Sequence, residues 1–172
     1  MITSKLCSIF SQVKNKETYF GPQGFVIATT ASGLETAQHG YGVHPNGSNL
    51  TGPNTGDWKN YWIVFARDTE LGDPYFVDSN NEQLAVSTAI QVEGLWQTEP
   101  VASSLDGFLE CLNLLSINGQ QKIAQFVPDE TTIVDKIALE KLNARLAKAS
   151  GCPAFWDLFF ECYFDWLKDD DG

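Results

Sequence analysis

Histidine chemistry in this chain must run through His39 and His44, because no other imidazole is present. The two stand five residues apart in a glycine-rich stretch, with Pro45 following. That spacing is neither HExxH nor the i, i+4 pair that sets two imidazoles on one helix face, so it does not describe a zinc site. Glu35 and His39 would share a helical face, but two ligands do not complete a coordination sphere. Cys7, Cys111, Cys152 and Cys162 are scattered, with no CxxC pair and no histidine marked by context as a base. They read as free thiols, mostly buried. Gly40-Tyr41-Gly42 begins like a phosphate loop, but the third glycine is missing and Pro45 interrupts it; GK[ST] and GxSxG are also absent.

Carboxylates are the remaining reactive groups. Glu70, Asp73, Asp78, Glu82 and Glu93 fall at strand ends or in loops of the central stretch 61–112. A pair of carboxylates is sufficient for acid–base work. Turn chemistry accounts for Asp73 and Asp78 without it, since Asp side chains accept backbone N–H groups in turns. The same residues also offer an anionic face to a basic partner. No cofactor and no metal is implied by any of these patterns.

Charge narrows the partners. Lys+Arg number 11 against 22 Asp+Glu, a formal net charge of −11. A field of that sign repels phosphate backbones, so direct nucleic-acid binding is not expected, and it steers basic proteins inward. With 172 residues, 43% hydrophobic and 19% charged, the chain reads as one domain with a packed core. Residues 1–10 hold one Lys and no continuous apolar run, and no run is long enough to cross a bilayer. A cytoplasmic protein with no membrane contact is the expectation. Asn46-Gly47-Ser48 and Asn49-Leu50-Thr51 match the glycosylation sequon, which in that compartment is a chance match.

These residues need elements to position them. Leu6, Ile9, Phe10 and Val13 make one stripe of a helix over 4–16, with Ser4 as its cap. Gly21-Pro22 breaks the chain, and GFVIATT at 24–30 is a strand. Residues 32–57 carry six glycines and two prolines, with a short helical turn around 34–39; this is either a plain surface loop or a partner contact through Tyr41. The run 61–66 is continuous enough to predict a central strand covered on both faces. PYFVD at 74–78, LAVSTAI at 84–90 and an extended piece from Trp96 follow, with Glu93-Gly94 as a turn; such short connections favour an antiparallel meander. A helix capped by Ser103 or Ser104 carries Leu105, Phe108, Leu109, Leu112 and Leu115 and stops at Asn118-Gly119. Phe126-Val127 reads as an added edge strand. A helix from Thr131 or Thr132 to Ala149 comes next, and Pro153 opens a last helix over 154–167. Two apolar stripes run along it: Phe155, Leu158, Phe159, Cys162 and Trp166, then Trp156, Phe160, Phe164 and Leu167. Such a helix is either sandwiched or keeps one face for a partner or a second copy, with Trp156 and Phe160 as the contacts. Asp169, Asp170 and Asp171 read as a solvated tail.

The segments YWIVFARDTELGDPYFVD (61–78) and EGLWQTEPVASSLDGFLECL (93–112), with a strand between them, resemble the SUKH superfamily, the group related to fungal regulators of cell-wall synthesis. The match spans roughly 58–115 and rests on the order of strands, turns, Trp96 and the following helix. Gly21-Pro22 and the glycine loop replace the Leu-Pro segment and Asn-Gly-Gly turn of many relatives. The resemblance implies an α+β fold: a twisted, mainly antiparallel sheet of about five strands with flanking helices. The domain spans 1–172, with its core at about 58–118 and an extra helical C-terminal region at about 129–168. It implies a non-enzymatic protein-binding domain, since many bacterial members resemble immunity proteins that neutralise a cognate toxin, often a nuclease. The alternative is a scaffolding or regulatory protein linked to cell-envelope synthesis. The expected partner is a basic protein, met through Tyr41, Glu70, Asp73, Glu82, Glu93, Trp156 and Phe160. A homodimer through the C-terminal aromatic helix is the further expectation.

Overall fold

Alternation along the central strands decides which side chains face which way, and the computed structural model, which describes residues 2–169, shows both faces covered. The elements run α1 (Ser4–Ser11), β1 (Glu17–Phe20), β2 (Gln23–Ile27), α2 (Ala31–Ala37), β3 (Trp62–Asp68), β4 (Pro74–Asp78), β5 (Val86–Val92), β6 (Leu95–Ala102), α3 (Leu105–Gly119), α4 (Lys136–Ser150) and α5 (Pro153–Asp169). The six strands lie side by side in chain order, and every neighbouring pair is antiparallel. This is the predicted meander in an α+β fold, with one strand more than the five expected. The additional strand is β1. The first helix ends at Ser11 rather than near 16, because the polar run Lys14-Asn15-Lys16 carries no stripe and the β-favouring Thr18 and Phe20 turn inward. Thr3, not Ser4, caps α1, its hydroxyl accepting from Leu6 N at 3.2 Å. Residues 126–127 form no strand.

One face of the sheet packs on α1, α3, α4 and α5. Ile63, Phe65, Tyr75, Val77 and Val101 point there, into a core shared with Phe10, Phe108, Leu112, Leu142 and Leu146. Phe25 sits among rings from three elements: its centroid is 5.3 Å from Tyr75, 6.2 Å from Phe108 and 6.0 Å from Phe159. The C-terminal helices are therefore part of the one core and not an extension beside it, and α1, β1 and β2 belong to it as well.

Val64, Phe76 and Ala89 point to the opposite face, which the glycine-rich segment 38–61 covers. Trp58 drops from that segment onto the sheet, buried, with its Nε1 donating to Trp62 O at 3.3 Å. The segment is held by its own hydrogen bonds, including Leu50 N to Gly42 O (3.0 Å) and Gly52 N to Trp58 O (3.0 Å), and by the Lys59 ammonium donating to the Gly52 and Asn54 carbonyls. It is a lid over a sheet face rather than a loose loop. Gln38 joins it to the sheet. Because β2 pairs with β3 only over Ala66–Asp68, the backbone of Val64 has no strand on that side. The buried Gln38 amide takes the strand's place, its Nε2 donating to Val64 O at 2.7 Å while Val64 N donates to its Oε1 at 3.0 Å.

The last helix settles the two-stripe question. Its buried side chains are Trp156, Phe159, Phe160 and Tyr163, at i, i+3, i+4 and i+7, a face that lies between the two predicted stripes. Trp156 Nε1 donates to Val101 O at 3.2 Å, and Tyr163 OH to Ile133 O at 2.7 Å. Asp170 and Asp171 of the expected tail lie outside the described residues.

Candidate partner-binding surface

Asp68 closes β3 and is buried, although it is charged. Its Oδ1 accepts the backbone N–H of Glu70 (2.9 Å), Leu71 (2.7 Å) and Gly72 (3.2 Å), and its Oδ2 accepts that of Asp73 (3.1 Å). Asp68 N donates to Asp73 O at 3.0 Å, closing the loop on itself. Four amides on one carboxylate make a pre-ordered connection between β3 and β4. Glu70 and Leu71 stand outward on it, Leu71 78% exposed.

The β5–β6 hairpin overhangs the sheet beside this loop. β4 pairs with β5 only over Tyr75–Val77, while β5 and β6 stay paired to Val92 and Leu95. Extending the β4–β5 register sets Asp73 beside Ile90. Glu93 (φ 51°) and Gly94 (φ 79°) both take positive φ, the two-residue turn whose twist suits a hairpin. Past the end of β4, Ile90, Val92 and Leu95 are exposed, and Glu93 caps the tip. Tyr41 lies at the same end, on the lid side, with its ring 5.4 Å from Trp96 and 5.1 Å from Trp58.

The electrostatics mark this end as one acidic region. Burial, then Asp68, holds the Asp73 carboxyl above the usual carboxylate range. Burial, then Asp73 and Asp68, pushes the Tyr41 phenol up. The Cys162 thiol on α5 is raised by burial, then by Glu70, Asp165 and Glu161. The loop carboxylates and those of α5 thus share one field.

Four of the residues expected from sequence, Tyr41, Glu70, Asp73 and Glu93, come together at this end. Glu82 does not, because the β4–β5 connection that carries it lies at the opposite end of the meander. Trp156 (0% exposed) and Phe160 (2%) are core residues, and no partner touches them without unfolding the helix. Turn chemistry holds for Asp78, whose Oδ1 accepts Asn80 N at 2.9 Å, but the loop after β3 is organised by Asp68 and not by Asp73. Asp68 and Leu71 escaped sequence reading. The signal available was an acidic residue closing an apolar strand with Gly72 four residues on.

A cleft of about 350 Å³ between α2 and β2–β3 is lined by Val26, Ala28, His39, Tyr41, Arg67 and Pro74, among others. The expectation for a reactive cleft, a histidine bonded to a thiol or carboxylate, is not met among the described residues: His44 Nδ1 accepts Asn46 N at 3.1 Å, and no such bond involves His39. Cys111 is buried and its thiol is pushed up to about 12 by burial, then by Glu110 and Cys152, which keeps it protonated. Asp68, whose charge acts on Asp73, has both oxygens occupied by its own loop.

No family model, no curated protein and no solved structure matches the chain. No helix among the described residues is long and apolar enough to cross a membrane.

Proposed function

We propose that this chain is a non-enzymatic protein-binding domain, a cytoplasmic immunity protein similar to those of the SUKH superfamily. It captures a basic bacterial toxin, a nuclease being the expected class, with its acidic end and occludes the toxin's active site or substrate groove. The observation that supports this reading is the Asp68-clamped loop, which holds Glu70 and Leu71 outward in a fixed geometry. A pre-ordered loop loses little conformational entropy on contact, so the attraction of its charges goes into association. Net charge of −11 draws a basic protein from a distance, and Leu71, Ile90, Val92 and Leu95 supply the short-range apolar contact that charge alone does not.

The test is co-expression with the toxin encoded beside this chain's gene, read as survival and as co-purification. Rescue by the wild-type chain, lost with Glu70→Lys plus Leu71→Arg, is the expected result, together with an association rate that slows markedly as salt rises. A neighbouring gene product that is not toxic, or is toxic and unbound, refutes the reading. Capture of a cell-envelope synthesis protein by a chain with no toxin gene beside it would favour the scaffolding alternative.

A further inference from the structure

Residues 120–135, between α3 and α4, have no regular helix or strand, yet they are tied to the body along their length. Gly21 N donates to Gln121 Oε1 at 2.6 Å, and Gln125 N donates to Gly21 O at 2.8 Å. Trp166 Nε1 donates to Phe126 O at 3.2 Å, and Tyr163 OH to Ile133 O. A slack segment would fold its large apolar side chains inward; this one is pinned with them outward. Ile123, Phe126 and Val127 are all more than half exposed, Phe126 at 96%. Ile117 near the end of α3, Val134 just before α4 and Ile137 in its first turn are exposed to a similar degree. Ile123, Phe126, Val127 and Ile133 line one groove of about 790 Å³. Six side chains of this size present on the order of 600 Å² of apolar surface, against about 800 Å² per partner in a stable interface. Large apolar side chains held exposed along one pinned groove mark a contact site.

Charge selects the occupant. Residues 117–137, the surface itself, hold two cations (Lys122 and Lys136) and three anions (Asp129, Glu130 and Asp135), a balance of −1. With −11 on the whole chain, everything outside that stretch carries −10. A basic partner is drawn to the rest of the molecule and not to this side, and anionic lipid headgroups repel a chain of such charge. Two copies that meet here join their near-neutral faces and keep their acidic ends apart, the orientation in which like-charge repulsion is least. We propose that the 117–137 surface is a two-fold interface on which a second copy of this chain docks, with Phe126 at its centre. This replaces the aromatic face of α5, which is buried, as the dimer contact.

Light scattering of the full chain at rising concentration tests this. The mass is expected to climb from the 19.0 kDa of one chain towards twice that value. Phe126→Ala is expected to weaken the association at least about tenfold, as truncating a central aromatic anchor does. Ile123→Glu with Phe126→Glu should hold the mass at 19.0 kDa throughout with unchanged thermal unfolding, since both side chains are exposed. Leu95→Glu, at the acidic end, should leave the dimer intact. A wild-type chain that remains a monomer, a dimer that survives the double substitution, or one that Leu95→Glu dissociates instead would each overturn the assignment. So would a wild-type monomer that sediments with vesicles of uncharged phospholipid, which would give the surface to lipid.

Discussion

Replacing Asp68 separates the residue that builds the candidate surface from the residues that would use it. Asp68→Ala leaves four backbone N–H groups without their carboxylate. A hydrogen bond to a charged group contributes about 1.5–3 kcal/mol net where water is excluded, and less where water replaces it. The loop 69–73 is partly exposed, so about 1 kcal/mol for each bond is the appropriate scale, giving a loss of about 3–4 kcal/mol. Relief of Asp73 from its charged neighbour offsets only a small part of this, because Asp73 is itself partly exposed and water screens the pair. Asp68→Asn keeps the Oδ1 acceptor for three amides and turns an NH₂ towards Asp73 N–H, a loss of about 1–2 kcal/mol. Urea unfolding measures both, and hydrogen exchange on 69–73 should show those amides opening faster in the alanine variant. Glu70→Ala, fully outward, should change stability by less than ~0.5 kcal/mol and slow partner association instead. Equal costs for Ala and Asn, or exchange at 69–73 that matches wild type, would refute the clamp.

Three further outcomes follow from buried contacts. Gln38→Leu removes the amide that stands in for a strand beside Val64, leaving a buried N–H and C=O unpaired; a loss of about 2–4 kcal/mol in urea unfolding is expected, and a loss below ~1 kcal/mol would show that water or a shift of the lid replaces it. Gly107→Ala would set a Cβ 2.5 Å from the Ala149 carbonyl oxygen, so α3 and α4 must part; a cost of about 1–3 kcal/mol is expected against the helix-propensity gain, and a more stable variant would contradict this close approach. Burial pushes the Tyr163 hydroxyl up to about 12 from about 10. Its protonated form is thus favoured in the fold, and that contribution is whole below pH ~10 and lost as pH rises through ~12. The stability difference between wild type and Tyr163→Phe should therefore fall by about 2 kcal/mol over that window, and a pH-independent difference would rule the account out.

What the sequence determined by itself was local. The continuous apolar run 61–66, PYFVD at 74–78, the turn at Glu93-Gly94 and proline at the start of the last helix are each set by a residue and its near neighbours, so β3, β4, the β5–β6 hairpin and the start of α5 are legible in the sequence, whereas the end of α1 and the start of α4 (Lys136 rather than Thr131 or Thr132) are not. The first strand was hidden because four residues of ETYF carry too short a pattern to stand out from the helix before them. The tertiary structure decided what covers each face. Local spacing says that Trp156 and Phe160 share a side; only the packing of α5 against β6 and the sheet shows that this side is inward. Composition says that 32–57 is rich in glycine, but only the fold shows Trp58 laying that segment over Val64 and Phe76. The candidate site divided in the same way. Glu70, Asp73 and Glu93 are legible as loop carboxylates, whereas Glu82 reads identically and lies at the far end. Strand direction across the meander, which follows from the short connections and from no single residue, is what brings the first three together and sends the fourth away.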